Sequence, residues 1–121
     1  MELILIIFLG VMWGLVFGII PTAGPTTALL TSYAFYPYFY SDPYLGVVFY
    51  TAMIAACTTG DTWSSILLGI PGSSSSAATV IDGYPLAKKG KATYALSAAF
   101  TSSTINGLFF GSIVFFLMPV Y

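Results

Sequence analysis

From Leu3 to Ile20 the chain carries no charged residue and no side chain more polar than the Trp13 indole. About 18 residues at 1.5 Å rise make a helix of roughly 27 Å, just enough for the hydrocarbon core of a bilayer. The run does not read as a secretory signal. Glu2 stands where a basic n-region is expected, and the run exceeds the roughly 7–15 residues of an h-region. It reads as a retained transmembrane helix. Composition extends that reading to the whole chain: 58% of residues are hydrophobic and 6% charged, against roughly 25% charged in average soluble domains. Three basic and four acidic residues cannot cover a water-facing surface of 121 residues. The expected fold is an all-α integral membrane protein, with transmembrane helices plus a broken or re-entrant helical segment.

The same numbers exclude several functions. A net charge of −1 leaves no basic patch for nucleic acid. There is no histidine, and Cys57 is the lone cysteine, so the commonest general base and metal ligand are missing and no intrachain disulfide forms. Cys57, in an apolar run, reads as a small packing residue. No hydrolytic constellation can be drawn, so the chain is read as not an enzyme, with neither cofactor nor metal.

Gly10, Gly14 and Gly18 fall every four residues and give the first helix a smooth face for a close neighbour. Pro21-Thr22-Ala23-Gly24-Pro25-Thr26-Thr27 ends it. Thr22 or Gly24 is expected to cap a new helix with Pro25 at its first position, running from Thr26 to about Phe35. That stretch is either a connector outside the membrane or a helix opening inside it. Between Tyr33 and Tyr44, seven aromatic residues (Tyr40 among them) gather around Asp42 as an interfacial belt. Leu45 to Thr58 is a second apolar run, ending at Thr58-Thr59-Gly60-Asp61. A final helix is expected from Thr93 to about Met118, closed by Pro119, with Ser102, Ser103, Thr104 and Asn106 facing other helices. Lys88, Lys89 and Lys91 are the only basic residues, so the positive-inside rule makes their loop cytoplasmic.

Gly60 to Lys91 breaks the pattern of plain spans. A short apolar segment, Trp63 to Ile70, stops at Pro71-Gly72 and is followed by Ser73 to Ser76. Irregular backbone is tolerated at membrane depth only inside protein or beside water. If Ser74 or Ser75 caps a helix through about Ile81, its free first-turn N–H groups and dipole offer an anion site of the kind transporters use for carboxylates. The free carbonyls ending Trp63–Ile70 suit a cation. Asp82-Gly83-Tyr84-Pro85 reads as a structural turn, Gly83 ending one helix and Pro85 opening another. Asp61 is either a proton or cation site, as an acid in an apolar setting suggests, or the N-cap of Trp63–Ile70.

These residues resemble the large membrane subunit of the tripartite tricarboxylate transporters, the TctA family. The family pattern G-G-S-x-x-x-I-L-L-N-x-P-G is met by Gly60 to Gly72, and S-x-x-T-x-x-D-G-Y-P-M-A by Ser76 to Ala87. Lys89-Gly90-Lys91-Ala92 and Ala95-Leu96 continue it, and Gly18 to Pro25 is similar to the family's G-x-x-P-G-x-G segment. The chain departs from the pattern at Asp61, where the family has glycine, at Gly69, where it has asparagine, and at Thr22, where it has glycine.

The resemblance implies substrate-binding residues at Thr22, Gly24, Thr62, Ser64, Pro71, Gly72, Ser73, Ser74, Ser75 and Ser76, and a cation or proton site at Gly60, Asp61 and Gly69. It implies a permease of the cytoplasmic (inner) membrane of a bacterium or archaeon, importing a carboxylate such as citrate with Na⁺ or H⁺. A periplasmic solute-binding protein and a small membrane subunit would be its partners. Because family members are several times longer, residues 1–121 are expected to be one partial transporter domain from the N-terminal half, working with the remainder of the subunit or a second copy. The other reading is a non-transporting membrane subunit in which the glycine faces and serine turn only assemble a complex.

Overall fold

The glycine ladder of the first helix sets the packing. In a computed structural model of the protein, which describes residues 1–39 and 42–118, α1 (Glu2–Ile19) lies along α4 (Pro43–Leu68) with Gly10, Gly14 and Gly18 all buried. A Cβ on Gly10 would sit 2.7 Å from the Phe49 carbonyl oxygen, and Cβ atoms on Gly14 and Gly18 would run into the carbonyls of Met53 and Cys57. Each step of four on α1 matches a step of four on α4, so the two helices run parallel. Gly18 in turn meets Gly60, whose own Cβ would lie 2.9 Å from the Gly18 Cα. Backbones this close gain dispersion contacts that larger side chains would prevent.

Parallel neighbours need a return path, and residues 20–39 supply it. Thr22 adopts a left-handed φ of +69°, and α2 (Gly24–Ser32) begins with Pro25 in its first turn, where a missing N–H goes unnoticed. Ala23 holds the cap position and no side chain caps the helix, so neither Thr22 nor Gly24 is the cap as expected. The path continues through a 3-10 turn, Tyr33–Phe35, into the short α3 (Tyr36–Phe39). Phe35 packs edge-on against Trp13 at 5.1 Å and against Phe49 at 6.0 Å, while Phe39 covers Phe49 and Gly46. The core (Ala28, Phe49, Met53 and Cys57, walled by Trp13, Phe17 and Phe35) therefore sits between α1, the return path and α4.

The expected break at Thr58–Asp61 is absent. Leu45–Thr58 and Trp63–Leu68 lie in one helix, α4, of 26 residues, with Gly69 and Ile70 beyond its end. Its polar middle stays helical because the hydroxyls turn back onto the helix's own carbonyls: Thr58 and Thr59 on Ala55, Thr62 on Thr58 and Ser64 on Asp61. Asp61 is thus mid-helix, not an N-cap. α4 stops at Gly69, whose φ of +71° makes the left-handed C-terminal turn.

Residues 69–73 then fold back along the last two turns of α4, because Gly72 and Ser73 bond to Asp61. A 3-10 turn, Ser74–Ser76, capped at Ser73, leads into α5 (Ala77–Leu86), whose cap position is Ser76, so neither Ser74 nor Ser75 is the cap. Gly83 meets Ile66 and the Tyr84 ring meets Gly69, so α5 runs the same way as the end of α4. The expected turn at Asp82, Gly83 and Pro85 is helix instead. Gly83 is there because Ile66 leaves no room for a larger side chain, and Pro85 is absorbed inside α5. The direction changes later, in a π-type turn over Ala87–Lys91 where Gly90 has φ +76°.

From there α6 (Ala92–Leu117) returns beside α4, bringing Phe100 within 6.1 Å of Trp63. Ser102, Ser103, Thr104 and Asn106 are exposed, and Thr104 and Asn106 bond to carbonyls one turn back on α6, not to another helix. The expected close at Pro119 lies outside the described residues, as does Tyr40 of the aromatic belt. Three stretches are long and apolar enough to cross a membrane: Glu2–Ile19, Pro43–Leu68 and Ser74–Leu117, the last bending at Gly90. The chain is an all-α membrane protein.

Candidate functional site

Asp61 is 3% exposed and projects from α4 toward the fold-back. Its Oδ1 accepts the Gly72 N–H at 2.7 Å and the Ser65 hydroxyl at 3.3 Å, and its Oδ2 accepts the Ser73 hydroxyl at 2.6 Å. The Ser73 proton is committed to Asp61, so the Ser73–Ser75 contact at 2.9 Å has Ser75 donating to Ser73. A directed chain of hydroxyls therefore leads from exposed Ser75 to buried Asp61. Ser76 closes the turn: its hydroxyl donates to the Ser73 carbonyl at 2.9 Å and accepts the Ser73 N–H at 3.3 Å. Ser74 and Ser75 remain exposed at the head of α5.

A second turn reaches the same place. A Cβ on Gly24 would lie 2.8 Å from the Gly72 carbonyl oxygen, so the turn that opens α2 touches the turn that precedes α5. From this contact α2 runs back toward the start of α4, and α5 runs on with its end. The two helices begin close together and point away from each other, so the positive ends of both dipoles converge near Gly24 and Gly72. Exposed apolar residues flank the level of the contact, Met12 and Val16 on one side and Leu67, Leu68 and Ile81 on the other. The turns thus lie within the apolar zone of the molecule.

Of the residues singled out from the sequence, the structure brings together Gly24, Asp61, Gly72, Ser73, Ser75 and Ser76. Ser64 is buried beneath them on the Asp61 carbonyl, Pro71 adjoins them in the chain, and Thr22 lies in the other turn, exposed. Gly60 instead faces α1, Gly69 lies under the Tyr84 ring, and Thr62 bonds to its own helix. Ser65, fully buried and bonded to Asp61, escaped the sequence reading. Its spacing of four from an acid on a helix was the available signal. Among the described residues no group of three or more His, Cys, Asp or Glu comes together as a metal site.

Helices long and apolar enough to cross a membrane, interrupted by two touching polar turns, define a multi-pass membrane protein. The chain belongs to the tripartite tricarboxylate transporter TctA family, whose pattern matches residues 4–121. It is 35% identical over 102 residues to an uncharacterized 52.8 kDa protein in the TAR-I ttuC' 3' region of Agrobacterium vitis. That match covers 83% of this chain and 20% of the relative, so the chain spans about a fifth of the relative's length. No solved structure matches it.

Proposed function

We propose that this chain is part of a permease that imports a small carboxylate across the cytoplasmic membrane of a bacterium or archaeon, coupled to Na⁺ or H⁺. The observation that carries the reading is the meeting of the α2 and α5 N-termini at Gly24 and Gly72. First-turn N–H groups lack intrahelical partners, and two helix ends together present about one unit of positive charge to a ligand. The Ser74 hydroxyl and the Ser74 and Ser75 backbone N–H groups stand on the open side of the turn, while the Ser75 hydroxyl donates to Ser73. Citrate is the substrate that family membership suggests first. A periplasmic solute-binding protein and a small membrane subunit would complete a tripartite system, with residues 1–121 forming one partial domain of the large subunit.

The test is uptake of labelled citrate into membrane vesicles containing the native large subunit and its partners. Ser74→Ala with Ser75→Ala is expected to lower uptake at least roughly tenfold, the scale of a lost charge-assisted hydrogen bond. The amount of inserted protein should not change, because both side chains are exposed. Unchanged uptake would return the serine turn to an assembling role.

A further inference from the structure

We propose that the crevice between α5 and α6 is a Na⁺ site, with the Asp82 carboxylate and the Thr79 hydroxyl as its protein ligands. The inference rests on the transport reading above and names the coupling ion and its seat. Because Asp82 lies within α5 and not in a turn, Thr79 and Asp82 stand one helical turn apart and line the same crevice. That crevice has a volume of about 340 Å³. Ile66 and Gly83, both buried and in contact, form its floor, and α6 faces it with the small side chains of Ala95 and Ala98. The alanines leave the space open, and the oxygens on the α5 wall give it its chemistry. Asp82 is exposed and Thr79 half-buried, so an ion can reach both from the open side.

The donor set selects the ion. A carboxylate and a hydroxyl are hard oxygen ligands, which suit alkali and alkaline-earth cations better than zinc or copper. One carboxylate balances one positive charge, and among the described residues no group of three or more His, Cys, Asp or Glu forms a multivalent cage. Na⁺ fits this pair, with waters completing its shell; a water takes about 30 Å³ of liquid volume, so the crevice has room for several. An acid in a stretch apolar enough to cross a membrane, as Ser74–Leu117 is, is costly to leave without a counter-charge. Lys88, on the same side of the bend, is turned to the Tyr84 ring, 4.8 Å from its centre. At 1.5 Å per residue Asp82 lies about 12 Å beyond Ser74, toward the lysine-bearing bend. The ion therefore takes no donor from the serine turn. A cation at Asp82 and a carboxylate at that turn attract each other, so each strengthens the other's binding by the same factor.

The experiment measures uptake of labelled citrate by the native large subunit and its partners in vesicles, with Na⁺ varied against choline. Wild-type uptake is expected to rise with Na⁺ and saturate. Asp82→Asn should raise the Na⁺ concentration for half-maximal uptake at least roughly tenfold. Thr79→Val should raise it several-fold, with Thr79→Ser close to wild type. A reading free of uptake uses a cysteine at Ala98, in the native large subunit lacking Cys57. Na⁺, and neither K⁺ nor choline, is expected to slow its labelling, and Asp82→Asn to remove that protection. Uptake indifferent to Na⁺, or a lower uptake in Asp82→Asn with the half-maximal Na⁺ unchanged, overturns the inference and spares the transport reading. Labelling at position 98 that ignores Na⁺ also overturns it. Absence of citrate uptake counts against the transport reading, and protection at position 98 then decides the Na⁺ site by itself.

Discussion

Asp61 and Thr22 are the two residues whose local chemistry departs furthest from a plain membrane helix. Removing the Asp61 carboxylate leaves the part-buried Gly72 N–H without its partner, at a cost of about 1 kcal/mol. Asp61→Ala should therefore loosen the fold-back. A cysteine at Ser74, in a Cys57→Ala background, is expected to react several-fold faster with a thiol reagent once Asp61 is alanine. Equal rates would show that the turn is held by something else. Thr22 pays for a left-handed φ of +69° with a β-branched side chain, a strain of about 1–3 kcal/mol. Thr22→Gly should raise stability by about 1 kcal/mol, seen as a higher unfolding midpoint in detergent. The family pattern has glycine at this position and asparagine at Gly69; both positions are left-handed here, and glycine and asparagine are the residues that adopt that conformation most readily.

At the scale of elements, the contact between α1 and α4 dominates. Gly14→Leu drives a side chain into the Met53 carbonyl and should destabilise the pair by about 1–3 kcal/mol or more, read as lost yield of folded protein. Val16→Leu, on the exposed face, should stay within about 0.5 kcal/mol of wild type. This interface was legible in the sequence, since a glycine every four residues marks one helix face. The partner was not, because Gly60 meets Gly18 across a stretch whose own pattern pointed elsewhere. Threonines, glycine and an acid in a row look like a break, yet each hydroxyl is satisfied one turn back and the helix continues. Pro85 misled for a similar reason. Proline opens helices more often than it sits inside them, but here the bend waits for Gly90. The serine turn was visible as a polar interruption; the carboxylate that holds it was visible only as an isolated acid.

The whole molecule inherits its direction from these contacts. α1 and α4 run parallel, and α5 continues the same way to the lysine-bearing bend. The N-terminus and Asp42 therefore lie at one end and Lys88–Lys91 at the other. With the lysines cytoplasmic, a cysteine at Gly90 in the Cys57→Ala background should react with an impermeant maleimide from the cytoplasmic side alone, and one at Asp42 from the opposite side alone. The reverse pattern would invert the orientation.

The central claim is that the turns before α2 and α5 form one binding site. It is tested most directly by substrate protection at both. Cysteines placed singly at Thr22 and at Ser74, in the native large subunit lacking Cys57, would be labelled with and without transported carboxylate. The account predicts that the same carboxylate slows labelling at both positions over the same concentration range. Protection at one turn only, or at neither, would contradict it.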